Sequence, residues 1–187
     1  MKYSLKCLII ITLLLSNLIT NGQTEEVQTN DEETESLKKH SLAFFMSHSF
    51  ISQGKIDGDR EWLAAPSLAL NYNYKISEKW SIGLHNDIII ESFVVEQEEP
   101  DEDILEREHP ISNLIVGSYK LSEPWSLAFG AGAEWEKNET FALLRFGTEY
   151  GLELKNESLE LLFAFNYDLL IDAYDSFNLG IGIAKRF

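Results

Sequence analysis

The chain has little of three things: cysteine, positive charge and long apolar runs. Its single cysteine, Cys7, rules out an internal disulfide framework. It has 15 lysines and arginines against 31 aspartates and glutamates, a formal net charge of −16, so it would repel the phosphates of nucleic acid rather than neutralise them. The same charge predicts repulsion from anionic surfaces in general. No apolar run has the ~20 residues that a membrane-spanning helix needs.

Cofactor-binding motifs are absent as well. The sequence has no phosphate-binding glycine loop, no paired histidines at zinc spacing and no EF-hand loop. Residues 130–132 (GAG) lie within a predicted strand, where small residues are expected, so they do not indicate a nucleotide site. We therefore expect no cofactor and no thiolate chemistry.

The first 22 residues have the pattern of a secretory signal. Lys2 and Lys6 give a positive start, residues 7–15 are apolar, and Gly22 supplies a small residue at the predicted cleavage point. Residues 23–40 are acidic and nearly devoid of apolar side chains, which predicts a disordered leader. An acidic recognition tail is the alternative for this segment.

From Ser41 onward, apolar residues alternate with small or polar ones at a period of two, the pattern of β-strands. Eight segments have this pattern. They lie at residues 41–51, 62–75, 80–95, 110–120, 125–136, 140–153, 158–172 and 176–187. The sequence predicts one all-β domain over 41–187, an eight-stranded antiparallel up-and-down barrel.

The two faces of each segment predict what surrounds the barrel. In the last segment Phe177, Leu179 and Ile181 share one face, whereas Asn178 and Gly180 share the other. A soluble lipocalin-type barrel would place the apolar face inside, but eight strands enclose too little space for so many large side chains. Apolar outside and polar inside is the transmembrane arrangement, and closure leaves no unpaired edge in hydrocarbon.

The connections between segments alternate in length. Those at 76–79, 121–124 and 155–157 are tight, whereas those after the first and third segments are longer, and the latter, 96–109, carries eight acids. Two further connections, near 137–139 and 173–175, are short. Tight turns are typical of the periplasmic side of such barrels, so both termini are predicted to be periplasmic.

An internal repeat surrounds two of the tight turns. Residues 74–81 (YKISEKWS) recur as residues 119–126 (YKLSEPWS). Tyrosine and tryptophan have an apolar ring and a polar atom, so this pattern predicts that they lie at a membrane interface. The predicted interfacial aromatics are Tyr74, Trp80, Tyr119 and Trp125. Aromatic cross-strand pairing in ordinary hairpins is the alternative, and it explains one copy better than two.

Together, these features resemble the small eight-stranded outer-membrane β-barrel proteins of Gram-negative bacteria. The residues that carry the resemblance are the signal-like start, the alternating segments, the turns with tryptophan and the ending 180–187 (GIGIAKRF). The resemblance implies a location in the cell outer membrane, in contact with its lipids. It also implies that Phe187 belongs to the signal read by the barrel-assembly machinery. It is specific for architecture and does not indicate a function.

One histidine suggests a catalytic hypothesis, because some barrels of this kind act on lipids. Ester hydrolysis needs a hydroxyl within hydrogen-bond reach of a base, and a third group that orients the base. His48 lies between Ser47 and Ser49, but on a regular strand these serines face away from it unless a bulge intervenes. The pattern favours an interfacial or lumen histidine over a catalytic one.

Charged residues on the small, polar faces predict an ion network inside the barrel. Arg145 lies near mid-height, where a carboxylate on each neighbouring strand would come within reach. Glu134 and Asp168 are its expected partners, and Glu149 and Arg186 lie nearer the predicted periplasmic end. A structural plug of salt bridges is the favoured interpretation, with a catalytic carboxylate pair as an alternative.

Three more acids are expected to point inward near the opposite end: Glu91, Glu136 and Asp172. Unpaired carboxylates in a lumen must find a partner, a proton or a cation. These three residues are therefore a candidate cation or small-ligand site.

For the whole protein, the sequence favours an envelope-structural or surface-interaction role over an open pore. Eight strands leave room for little beyond their own side chains. The acidic 96–109 loop is the candidate contact for an extracellular partner or a divalent cation. The rival hypothesis is a membrane-embedded lipid hydrolase or acyltransferase that uses His48.

Overall fold

The structure, a computed structural model, describes residues 38–56, 59–95, 105–137, 139–154 and 158–187. The predicted signal, residues 1–22, lies outside the described residues, as do 23–37 of the predicted leader and 96–104 of the acidic loop. No helix among the described residues is long and apolar enough to cross a membrane.

Eight of the strands close into a barrel in which every neighbouring pair is antiparallel. β1 pairs with both β2 and β10, which leaves no free edge. The barrel strands are β1 (His40–Ile56), β2 (Asp59–Lys75), β3 (Trp80–Ile89), β6 (Ile111–Ser122), β7 (Trp125–Trp135), β8 (Thr140–Glu153), β9 (Leu159–Leu170) and β10 (Asp175–Arg186). Two short strands, β4 (Phe93–Val95) and β5 (Leu105–Arg107), pair only with each other. The predicted fold class is confirmed.

Alternation along each strand separates an outer apolar face from an inner face. Met46 and Ile115 are 63% and 64% exposed on the outside, whereas Ala43 and Val116 are buried inside. Large exposed apolar side chains occur on every barrel strand, and a belt of this extent is the surface that lipid hydrocarbon covers. The short connections near 137–139 and 173–175 are confirmed, because β8 begins soon after β7 and β10 soon after β9.

The connection between the first two strands is shorter than predicted. β1 continues to Ile56 and β2 begins at Asp59, so only residues 57–58 separate them. Beyond Ile51 the β1 strand pairs with β2 alone, because its pairing with β10 ends there. The predicted first strand, 41–51, therefore matches the part of β1 that pairs on both sides and belongs to the closed wall.

The third predicted strand, 80–95, proves to be two elements. β3 ends at Ile89, the Ile90 N–H donates to the Pro66 carbonyl at 2.9 Å, and the chain then leaves the barrel wall. β4 pairs with β5, which comes from the loop predicted to be exposed. Alternation could not mark this break, because the buried residues before and after it, Ile89 and Phe93, have the same parity.

Candidate functional site

The two ends of the barrel carry different structures. We call the end formed by residues 76–79, residues 123–124 and the two described chain ends the turn end. The opposite end is the hairpin end, with the β4–β5 hairpin and the connections 136–139 and 171–174. The buried polar and apolar groups between these ends form the candidate site.

Near mid-height an arginine crosses the lumen. Arg145 on β8 contacts Asp168 on β9 with two hydrogen bonds, Nε to Oδ1 at 2.7 Å and Nη2 to Oδ2 at 2.6 Å. Its Nη1 donates to Asp87 Oδ2 at 2.8 Å. Asp87 lies on β3, which β6 and β7 separate from β8 in the barrel, so this bond links opposite walls. Arg145 therefore contacts Asp168, one of its two expected partners, and contacts Asp87 instead of the other, Glu134.

Glu134 belongs instead to a second cluster at the hairpin end. The same oxygen, Oε1, accepts hydrogen bonds from Arg107 Nη2 and from the Tyr174 hydroxyl, both at 2.6 Å. The Arg107 guanidinium also lies over the ring of Phe141, 5.0 Å from its centre. Burial, reinforced by the Glu134 carboxylate, raises the pKa of Tyr174 well above its ordinary value. The tyrosine is therefore a neutral donor at physiological pH.

Sequence reasoning missed Arg107 and Tyr174. Arg107 lies in the segment predicted to be an exposed acidic loop, yet its side chain is completely buried. One signal in the sequence could have found Arg107. It lies two residues after Leu105, the spacing of residues on one face of a strand, within an otherwise acidic segment. Without that strand, Glu134 had no visible partner except Arg145.

An apolar layer fills the hairpin-end half of the lumen, between the two clusters. The hairpin contributes Phe93, Val95 and Leu105, which are all buried. The barrel wall contributes inward aliphatic side chains from five strands. These are Ile51, Ile89, Leu114, Val116, Leu143 and Leu170. This half of the interior is therefore largely apolar, although Ser49, Ser67 and Asn178 form a buried hydrogen-bonded group on β1, β2 and β10. The alternation predicts small and polar residues throughout.

The turn-end half holds a polar cavity of about 210 Å³. Its wall includes Glu149 and Asn71. The Oδ1 atom of Asn71 is buried without a hydrogen-bond partner among the described residues. Near its mouth Arg186 Nη2 pairs with Glu153 Oε1 at 2.5 Å and approaches Glu160 Oε2 at 3.7 Å. Glu149 and Arg186 thus lie in the half where they were predicted, but apart from Arg145.

The three acids proposed as a cation site do not come together. Glu91 and Asp172 are exposed beyond the ends of β3 and β9, so the expectation that they point into the lumen is wrong. Asp172 occupies a tight turn with a left-handed backbone, φ 63°, which an aspartate tolerates. Glu136 is partly buried. Within the described part of the chain, no three His, Cys, Asp or Glu side chains are placed to hold a metal ion.

His48 lies on the outer face of the barrel. It is exposed, and its partners across the ladder are Leu179 on β10 and Pro66 on β2. The flanking serines, Ser47 and Ser49, are buried on the inner face. The strand therefore separates the histidine from both hydroxyls.

The predicted interfacial aromatics gather at the turn end. Trp80 and Tyr119 lie opposite each other on β3 and β6, with ring centres 4.8 Å apart, so the two copies of the repeat meet. Trp125 contacts the neighbouring ring of Tyr150. Tyr74 lies at the same end, where it contacts the ring of His40.

Phe187 closes the barrel seam next to this group. Its ring stacks on His40 with centres 5.8 Å apart, and the two residues exchange backbone hydrogen bonds of 2.8 and 3.0 Å. The last residue of the chain is thus attached to the first barrel strand.

No protein-family model matches the chain, and no curated protein matches its sequence. Solved structures do match. The attachment invasion locus protein Ail of Yersinia pestis, crystallised with the heparin analogue sucrose octasulfate, has a TM-score of 0.55 at 16% identity, with 80% of this chain and 99% of that chain covered. Neisserial surface protein A has a TM-score of 0.48 at 12% identity, covering 79% and 97%. The N-terminal barrel domain of Pseudomonas aeruginosa OprF has 0.42 at 11%, covering 80% and 99%.

The agreement with Ail concerns the fold. It extends over nearly the whole of that protein and includes the described barrel of this one. The closed sheet, the outward apolar belt and this likeness agree with one another. The chain is a small, closed, eight-stranded antiparallel β-barrel with the fold of outer-membrane proteins.

Proposed function

We propose that this protein is an outer-membrane barrel with an envelope-structural or surface-interaction role, and that side chains close its lumen against solute flow. The proposal is supported by side chains that extend across the lumen at two levels. Arg145 links opposite walls at mid-height through Asp87 and Asp168. Towards the hairpin end, the β4–β5 hairpin and the inward aliphatic residues occupy the interior. Eight strands leave little width around such groups.

Conductance across a planar lipid bilayer tests the closed lumen. The wild-type barrel should give no steady ohmic current. The variant Phe93→Asp/Leu105→Asp places charges on the buried face of the hairpin and should release it from the mouth, which increases current. The matched control Val94→Asp/Glu106→Asp changes the exposed face of the same two strands and should leave the current at the wild-type level. Steady wild-type conductance would contradict the proposal.

The hairpin end is the candidate surface for interaction. Its exposed charged residues, within the described part of the chain, are mostly acidic, with Glu106, Glu108 and Glu139 among them and Lys137 as the exposed lysine. Such a surface suits a divalent cation or a basic partner. The sulfated sugar analogue bound to Ail is an anion, so this end of the present barrel does not suit that ligand class.

This role requires the hairpin end to face outward and the turn end to face the periplasm. The chain's one cysteine, Cys7, lies in the predicted signal. A cysteine introduced elsewhere therefore shows by its labelling on which side of the membrane that residue lies. A membrane-impermeant maleimide should label Glu108→Cys on intact cells. It should label Glu78→Cys only after the outer membrane is opened. The reverse labelling pattern would mean that the barrel is inserted the other way.

Assembly forms the last part of the proposal. Phe187 lies at the seam between β10 and β1, the last and first strands of the barrel. Recognition of this terminal aromatic by the barrel-assembly machinery would couple insertion to closure. Deletion of Phe187 should lower the amount of folded barrel in outer-membrane fractions, whereas Lys185→Gln should not.

A further inference from the structure

Charge is distributed unevenly between the two ends of the barrel. Five described lysines are exposed at the turn end: Lys39, Lys75, Lys79, Lys120 and Lys185. At the hairpin end the exposed described lysine is Lys137. Three acids, Glu78, Glu123 and Glu153, are exposed at the turn end too, so exposed lysines outnumber exposed acids there, whereas the protein as a whole has a net charge of −16.

Most of these turn-end lysines are not neutralised by neighbours. Lys120 pairs with Glu123 in the same turn. The side chains of Lys39, Lys75, Lys79 and Lys185 form no ion pair with any described residue. The arginine at this end, Arg186, already forms ion pairs with Glu153 and Glu160. Four ammonium groups therefore remain available to a partner.

Two of the lysines adjoin aromatic residues that indicate the depth of the membrane interface. Lys185 shares the outer face of β10 with Phe187, and Lys79 ends the turn that leads into Trp80. Lys39 and Lys75 line the mouth of the turn-end cavity at the same end of the barrel. Amphipathic aromatic rings concentrate at the level of lipid headgroups. A lysine beside such a ring can extend its methylene stem along apolar surface and place its ammonium group at the depth of the phosphates.

We propose that the turn end binds anionic phospholipid headgroups, with Lys39, Lys75, Lys79 and Lys185 contacting the phosphates. This proposal goes beyond the structural or surface role, and it refines the expectation, drawn from net charge, that the protein avoids anionic surfaces. The acidic hairpin end repels phosphates, so the two ends would have opposite lipid preferences. The turn end would then favour the membrane leaflet that is rich in anionic phospholipid.

Native mass spectrometry of the detergent-solubilised full-length barrel tests the proposal. The barrel is mixed with equal amounts of dioleoylphosphatidylglycerol and dioleoylphosphatidylcholine, and the lipids retained are counted. The wild type should retain the anionic lipid preferentially. Each lysine removed should weaken that preference by about fivefold. The variant Lys39→Gln/Lys75→Gln/Lys79→Gln/Lys185→Gln should therefore show almost none.

Matched single variants locate the effect. Lys79→Gln should reduce retention of the anionic lipid, whereas Lys137→Gln, the same change at the hairpin end, should not. Equal reduction by both variants would show a response to net charge and overturn the assignment. The assignment would also be overturned if the quadruple variant no longer retained lipid A, added in a parallel sample, but still retained phosphatidylglycerol.

A folding control separates this inference from the proposed function. Each variant is run on a gel before and after boiling, because folded membrane barrels migrate differently from unfolded ones. A folded wild-type barrel with no lipid preference would overturn only the lipid site. A chain that never shows a heat-dependent shift in migration would instead contradict the membrane-barrel function.

Discussion

The two halves of the lumen are built from the same eight strands, yet they are filled in opposite ways. The turn-end half contains a polar cavity beside Glu149 and Asn71, and its mouth has free lysines. The hairpin-end half is packed mainly with apolar side chains, around a nearly fully buried ion pair between Arg107 and Glu134. Alternation along a strand determines which residues point inward. Whether the interior is polar or apolar also depends on the β4–β5 hairpin, which adds apolar side chains to one half only.

The largest effect is expected where the two halves meet, at Arg145. Arg145→Ala would leave Asp87 and Asp168 buried without their cation, which should lower the free energy of unfolding by about 3–5 kcal/mol. Equilibrium unfolding by urea in lipid vesicles measures this. The control Arg186→Ala removes a partly exposed pair at the turn end and should cost less than about 1 kcal/mol.

Rescue distinguishes an uncompensated charge from a packing defect at the same position. Adding Asp87→Asn and Asp168→Asn to Arg145→Ala removes the unpaired carboxylates and should recover much of the lost stability. If the triple variant is no more stable than Arg145→Ala alone, the arginine stabilises the barrel by its volume, and the boundary between the halves is not electrostatic.

Much of the fold could be predicted from the sequence because the membrane imposes alternation on every barrel strand. The same physical reason explains the errors. Residues 105–107 and the ends of β1 and β2 lie outside the barrel wall, so lipid does not constrain their pattern. Asp168 could be predicted as a partner of Arg145 because β8 and β9 are neighbours, so alternation places the two side chains side by side. Asp87 lies on β3, across the lumen, and a sequence does not show which residues face each other across the interior of a barrel.

An effect of intermediate size is expected from matched substitutions on the adjacent strands β8 and β9, which compare the polarity of the two halves of the lumen. Leu143, 1% exposed, lies in the apolar layer, so Leu143→Asn should bury an unpaired amide and lower the free energy of unfolding by about 2–5 kcal/mol. Asn166 lines the turn-end cavity, where Asn166→Leu should change stability by no more than about 1 kcal/mol. Equal costs in urea unfolding would mean that both halves are equally dry.

The smallest effect concerns the tyrosine that ties the hairpin-end ion pair to the connection between β9 and β10. Tyr174 donates to Glu134 Oε1 at 2.6 Å, and its raised pKa keeps the donor proton in place at neutral pH. Tyr174→Phe retains the ring packed edge-on against Phe93 and removes one hydrogen bond to a buried carboxylate. The expected loss of unfolding free energy is about 1.5–3 kcal/mol, since Arg107 still neutralises Glu134.

The same change at Tyr167 shows whether burial produces that loss. Tyr167 donates to Asp175 Oδ2 at 2.9 Å, but this pair is only partly buried and water can replace the bond. Tyr167→Phe should therefore cost less than about 1 kcal/mol in the same urea unfolding experiment. If the two tyrosine variants lose equal stability, Glu134 must be hydrated in the folded protein. The hairpin end would then be as wet as the turn end, and the contrast between the two halves would fail at the position where it is sharpest.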